Sequence, residues 1–476
     1  MPLAVGIIAL ALALINSWHV IVPWIQRPPD AVFTGIAHYF ADFFLYIAQM
    51  REGTLYSSHW FTNEPMAATW IYWFNGLVGR AGSIVGLSPF ATYNITLIAL
   101  VLGLCVLWWA LIKRVFADNF TRLVAFVFVL TASQAPNAAV FWFSPTPALN
   151  RLGGVPHQML QTLFILAVIY IFIARPKSLL IIPLAFLAST ANPIQMLLVV
   201  AAAALIMPKR LPMLAIPALI GAVLVNKEFA AQPVLIAAKA WEAAQHIRVG
   251  FLQFLLSIGP IVLLIPFGVK RFLKQKDPLR RLFFAYGALS MAVFFSPIPT
   301  LLGTASVRWL SPAAYALLPL LAAAGLPKSR YKFLLLALYV LVTTPVLASQ
   351  VGSRMTPQPL NYVSRPVVDG ISQLEKEPDG VVLTDPLLPY DVLIPVFAQH
   401  SSFTGHPIHT LYPEVKERLR EEFFSGIWSE EQTREFLTNH RIGYVITVVE
   451  NSRFDHSSLV HKLYQNEVLT LFQTNL

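Results

Sequence analysis

The segment "ADFFLYIAQMREG" sets Asp42, Tyr46, Gln49 and Gly53 at helical spacing along one edge, with Phe43, Ile47 and Met50 on another side. A carboxylate on such an edge can take a proton from an attacking hydroxyl, with Tyr46 and Gln49 beside it to meet a substrate. A helix cap or an ion pair with Arg51 or Arg80 is the competing use of Asp42. Further on, Glu64 in "FTNEP" is a second polar candidate, for which bonding to nearby amides competes with a chemical role. Two arginines suit another task. Arg151 lies in "PTPALNRLGGVPHQML", shortly before His157 and Gln158, and Arg308 lies in "GTASVRWLSP", each at the mouth of an apolar run. A guanidinium there can hold a phosphate by paired hydrogen bonds, or simply anchor the chain among headgroups.

Other constellations carry less. His400, His406 and His409 in "QHSSFTGHPIHT" lie on one loop, where structural contacts are expected before a metal site, so no metal or other cofactor is assigned. No phosphate-cradling glycine loop, nucleophile elbow or metalloprotease helix motif is present, since "LNRLGGVP" lacks the lysine that would follow. Tyr46, Tyr56, Trp60, Trp70, Tyr72 and Trp73 are expected first as an interfacial belt, and they also offer flat faces on which a substrate could stack.

The elements that must position these residues follow from composition. Of 476 residues 56% are hydrophobic and 12% charged, with a mean hydropathy of +0.63, more apolar side chain than a soluble core can bury. The chain is therefore expected to be a polytopic helical membrane protein. Its net charge of +10 does not signal nucleic acid, because it divides by region. Up to residue 350 there are 24 Lys and Arg against 8 Asp and Glu, and beyond it 10 against 16. The lone Cys105 excludes an intrachain disulfide.

An opening run from Leu3 to Pro23 has the length of a span and none of the cleavage features of a signal peptide. Ten further runs lie near 91–112, 123–138, 158–174, 178–191, 193–207, 211–226, 250–269, 282–297, 311–326 and 331–349, about eleven spans in all. Asn192-Pro193 should break one pair into a shallow hairpin. Of the 24 basic residues, 16 fall in clusters between alternate runs, and short basic loops stay cytoplasmic. That parity puts the amino terminus inside. It puts the first external loop, about 24–90, and everything after 350 outside, with the Asp42 helix lying along the membrane surface.

The chain thus divides into a membrane domain, 1–350, and a soluble tail, 351–476. In the tail, "GVVLTD" and "YVITVV" read as buried strands, "VLTLFQT" as a last strand and "PEVKERLREEFF" as an amphipathic helix. Ser429 and Gln432 form the capping box of another helix, which makes the tail a small α/β domain.

Taken together, "ADFFLYIAQMREG", "FTNEP", "NRLGGVPHQ", "STANPIQ", "ASVRWLSPAAYALLPLLAAAGL" and "TGHPIHT…VKERLREEFFSG…FLTNHRIGYVI" resemble segments of a bacterial branch of the glycosyltransferase C (GT-C) superfamily. The resemblance covers most of the chain as an ordering of features. It implies transfer of a sugar from a polyprenyl-phosphate donor to a hydroxyl of a glycan, lipid or protein acceptor on the extracytoplasmic side of a cell membrane, with inversion. It also implies Asp42 as base, Arg151 and Arg308 as phosphate ligands, and His157 and Glu64 as secondary polar residues. The paired acids of several families are missing, since Ala41 and Phe43 flank Asp42. Other functions compatible with the sequence are a transporter or lipid flippase with a regulatory outer domain, a non-catalytic scaffold, or a polymerase or ligase of lipid-linked glycans. Ion-coupled transport is disfavoured because no span centre carries an ionisable residue.

Overall fold

The computed structural model describes residues 2–36, 39–58, 63, 64, 66–138, 140, 141, 144–245, 249–356, 358–449, 454 and 457–475. Trp60 and three residues of "FTNEP", 61, 62 and 65, lie outside the described residues. The chain folds into two compact units. One comprises Met1–His19, Ile95–Lys227 and Lys239–Thr356, and the other Val20–Asn94, Glu228–Ala238 and Pro357–Leu476.

Every expected apolar run contains helix, but the lengths differ from eleven full spans. Among the described residues, five helices are long and apolar enough to cross a membrane: Leu3–Ile25, Pro89–Val115, Pro156–Ala174, Pro208–Ala231 and Tyr331–Met355. A sixth candidate is the pair Phe251–Ile258 and Pro260–Lys274, bent by 98°. Gly259 makes that bend at φ 78°, where a Cβ would stand 1.9 Å from the carbonyl oxygen of Ser133. The expected break at Asn192 is present. Its side chain accepts from the Gln195 amide at 3.1 Å and so opens the Pro193–Ile206 helix. Asp118 and Asp277 cap helices, accepting from the amides of Thr121 (2.8 Å) and Arg280 (3.0 Å).

The second unit carries the sheets. Strands β1 (Ala31–Phe33) and β2 (Tyr362–Ser364) pair antiparallel, joining the start of the first loop to the start of the tail. A five-stranded sheet runs in the order β4 (Ser401–Ser402), β3 (Val381–Thr384), β5 (Ile442–Val448), β7 (Leu469–Thr474), β6 (Val460–Gln465). The β3 strand is parallel to β4 and β5, while β7 is antiparallel to β5 and β6. Helices Pro413–Ser425 and Glu430–Asn439 stand where the sequence places them, the second with its Ser429/Gln432 capping box complete.

The tail does not keep its core to itself. Phe43, Phe44, Ile47 and Met50 of the Phe40–Glu52 helix are at most 2% exposed. They share one cluster with Val363, Ile371, Leu393, Ile446 and Leu471. Burying side chains of this kind stabilises by about 1.5–3 kcal/mol each. The apolar face of this helix, expected to lie along the membrane surface, is therefore covered by β-branched and leucine side chains of the tail.

The next helix, Trp73–Ile84, packs on the same helix through small residues. A Cβ on Gly79 would lie 1.9 Å from the Met50 carbonyl oxygen, a backbone atom that cannot swing away. Gly79→Ala is expected to destabilise this unit by about 1–3 kcal/mol, read as a lower melting temperature of the detergent-solubilised protein. An unchanged melting temperature would show that the two helices separate without cost.

Candidate functional site

Asp42 sits in the first turn of the Phe40–Glu52 helix, where the unpaired amides at the helix start favour an anion. Its Oδ1 lies 2.7 Å from Nε2 of His406, with the aspartate side chain 33% exposed and the histidine fully buried. The roles in that bond are fixed by the other ring nitrogen. The Ile408 amide donates to Nδ1 of His406 at 3.1 Å, so Nδ1 is an acceptor and the ring proton resides on Nε2. A neutral imidazole thus donates to the carboxylate. Adding a second proton would set an N–H of the ring against the Ile408 amide.

Aromatic groups surround the pair. Tyr39 presents its edge to His406 at 6.2 Å between ring centroids, His409 lies 4.7 Å from His406, and Tyr72 lies 6.4 Å from His409. Burial first, and then the negative charge of Asp42, push the hydroxyls of Tyr39 and Tyr72 above the ordinary tyrosine range. They remain neutral, proton-bearing groups beside an anion.

The other polar residues of the first loop have definite partners. Gln49 accepts from Asn75 Nδ2 at 2.7 Å and is buried, which turns it toward the neighbouring helix. Tyr46 is half-buried against the core shared with the tail. Arg51, a candidate partner of Asp42, instead engages Glu375 and the Val396 carbonyl. Glu64 accepts from the Leu411 amide (2.8 Å) and from Lys416 Nζ (2.6 Å), with its side chain 5% exposed. Asn63 beside it bonds the carbonyls of Ser402 and His440. Of the remaining loop histidines, His400 is held between the carbonyls of Ala398 and Pro378. Among the described residues, no three His, Cys, Asp or Glu side chains converge as metal ligands.

In the first unit the two arginines have different environments. Arg151, on the short Ala148–Leu152 helix, is buried and donates to the carbonyls of Val129, Ala132, Pro145 and Thr146 while lying over the Tyr315 ring. That set of acceptors ties together the loop carrying it. His157 is half-buried in the first turn of the Pro156–Ala174 helix.

Arg308 lies in the Ser306–Trp309 turn and is 37% exposed at its side chain. It grips Glu242 with two parallel bonds, Nε to Oε1 at 2.8 Å and Nη2 to Oε2 at 2.7 Å, the fork geometry that also fits a phosphate. Its backbone is fixed from within. Gln195 of "STANPIQ" donates to the Arg308 carbonyl at 2.7 Å and accepts from the Tyr286 hydroxyl at 2.6 Å, which also meets Ser311 at 3.0 Å.

Sequence reasoning passed over four of these participants. The sequence gives His406 a structural loop contact ahead of a metal but no named partner, leaves Glu242 and Gln195 without a role, and does not single out Tyr286. The run "TGHPIHT" offered a signal for His406, a histidine amid small and turn-forming residues, but not its partner.

No family profile matches the sequence, and a search of curated proteins finds no significant match. Solved structures do match. The chain superposes on the apo oligosaccharyltransferase of Archaeoglobus fulgidus with a TM-score of 0.54 at 12% identity, covering 94% of this chain and 69% of that one. It superposes on ArnT from Cupriavidus metallidurans bound to undecaprenyl phosphate with a TM-score of 0.53 at 11% identity, covering 99% and 97%. For the mycobacterial arabinofuranosyltransferase AftD the values are 0.51 and 13%, covering 97% of this chain and 41% of that one. The fold is that of the GT-C glycosyltransferases.

Four buried carbonyls on one guanidinium make Arg151 hard to replace. Arg151→Lys, with fewer donors in the wrong geometry, is expected to cost at least about 2 kcal/mol and to reduce the yield of folded protein. A variant that folds normally and loses only its saturation by a lipid-phosphate donor would instead give Arg151 a direct hold on phosphate.

Proposed function

We propose that this protein is a membrane glycosyltransferase that moves a sugar from a polyprenyl-phosphate donor to a hydroxyl acceptor on the extracytoplasmic side of the cell membrane, with inversion. One observation carries the reading: in a chain with the GT-C fold, Asp42 is a partly exposed carboxylate held by a neutral histidine. The undecaprenyl phosphate in the ArnT structure supports the class of donor.

The chemistry needs few groups. The acceptor oxygen attacks the anomeric carbon, the bond from that carbon to the phosphate oxygen breaks, and the polyprenyl phosphate departs with the bonding electrons. Asp42 takes the hydroxyl proton as the new bond forms. Because the neutral His406 ring donates one hydrogen bond and brings no positive charge, the carboxylate keeps more basicity than it would beside an imidazolium. Charge building on the departing phosphate is met by a guanidinium. Arg308 fits that part, since a phosphate can replace the Glu242 carboxylate on the same fork; Arg151 reinforces its own loop, His157 is a secondary polar residue, and Glu64, Tyr46 and Gln49 hold the first loop in shape.

Two substitutions test the assignment in membranes supplied with a panel of radiolabelled polyprenyl-phosphate sugars. Asp42→Asn is expected to lower transfer by at least about 100-fold with little change in expression, and undiminished transfer would remove Asp42 from the role of base. Arg308→Ala is expected to raise the donor KM by about tenfold or more, whereas Glu242→Gln, which weakens the competing carboxylate, should lower it. Equal donor KM values in all three proteins would separate Arg308 from the phosphate.

A further inference from the structure

We infer that His406 is a positioning residue for the Asp42 carboxylate, so that the tail supplies part of the machinery for proton abstraction. This rests on the reading of Asp42 as the base and adds a residue 364 positions away in sequence.

The loop bearing His406 is built to present one N–H in one direction. The imidazole is fully buried, its Nδ1 is occupied by the Ile408 amide, and its carbonyl accepts from Thr410 Oγ1 at 2.9 Å. Two residues upstream, Thr404 is bonded by Arg420, which also pairs with Asp391 and Glu417. Ring flip, rotation and outward swing of His406 would each break one of these bonds. What remains is a donor aimed at Oδ1 of Asp42, on a helix whose apolar face is locked into a core shared with the tail.

Such a donor does two things. It selects one carboxylate rotamer, since an aspartate in a first helical turn otherwise samples several. It also favours the ionised form, which keeps the base unprotonated to lower pH. Among the described residues, Tyr39 ahead of the helix, Tyr72 ahead of the Trp73–Ile84 helix and Tyr93 on the Pro89–Val115 helix face the carboxylate. His409 faces the His406 ring. The phenols of Tyr39 and Tyr72, raised by burial and by the Asp42 charge, stay uncharged through the acid range.

The experiment uses the full chain and whichever radiolabelled polyprenyl-phosphate sugar supports transfer. His406→Phe fills the space without a donor, and His406→Gln restores an amide N–H at nearly the same reach. We expect His406→Phe to lower kcat by about 10- to 100-fold with donor KM unchanged, and to move the acid limb of the kcat/KM profile upward by about one pH unit. His406→Gln should return most of the rate and the native limb. If His406→Phe does not fold, His406→Asn, whose amide falls one carbon short of Asp42, should show the same loss beside an active His406→Gln.

Native kcat and an unmoved limb in His406→Phe would overturn the inference, as would a Gln variant no better than Phe or Asn. Asp42→Asn, run alongside, separates the two ideas. If it is inactive while His406→Phe is normal, the base stands and the positioning fails; if it is active, the reading of Asp42 fails and the positioning with it.

Discussion

A thirteen-residue helix with a strongly apolar face cannot hold its place without something to cover that face, and here the cover comes from the tail. Phe43, Phe44, Ile47 and Met50 pack among tail side chains from the β2 region, β5, β7 and the segment around Leu393. The same contact that buries the face turns the polar edge into a fixed position. Asp42 is therefore oriented by hydrophobic burial first and by hydrogen bonding second. Glu64 and Asn63 repeat the pattern further along the loop, one through Lys416 and the Leu411 amide, the other through two tail carbonyls. Loop and tail are parts of one folded body, which the chain leaves after Asn94 and re-enters for good at Pro357.

In the first unit, the contrast between the two arginines follows from what each guanidinium meets. Arg151 sits among backbone carbonyls, which carry partial charges only, so it holds a loop in shape while remaining a cation. Arg308 meets a full carboxylate in a forked, partly exposed pair. Surface pairs of this kind contribute little to stability, and exchange of one anion for another is correspondingly easy. The chain Tyr286, Gln195, Arg308 carbonyl shows where the rigidity comes from, since the backbone is held from inside while the side chain stays at the surface.

Much of the local structure was legible in the sequence because local structure has local causes. Asn192-Pro193 broke its helix, Ser429 and Gln432 capped theirs, and the β-branched runs of the tail became β3 and β5. Apolar runs gave the positions of helices but not their lengths, because proline and glycine, as at Gly259-Pro260, cut several of them short of a full crossing. The partners of the site residues were not legible. The bond from His406 to Asp42 spans 364 residues and that from Arg308 to Glu242 spans 66, and no periodicity encodes either. Nor does the letter R say whether its acceptors are carbonyls, a carboxylate or a phosphate, which is why Arg151 and Arg308 looked alike. The apolar face of the Asp42 helix was correctly seen, yet its cover could have been lipid or protein, and only the folded chain distinguishes them.

The distance along the chain between helix and cover has a meaning for biogenesis. At a synthesis rate of about 5–20 residues per second, the 364 residues from Asp42 to its partner His406, amid the tail that supplies the cover, take roughly 20–70 s to emerge. Over that interval the nascent Phe40–Glu52 segment has the early part of its cover, Phe90 and Tyr93 against Phe43, but none of the tail's. Arrest, frameshift or cleavage late in the gene would leave the early loop stranded in that immature form even with every earlier helix inserted, so the last quarter of translation acts as a checkpoint on the first tenth.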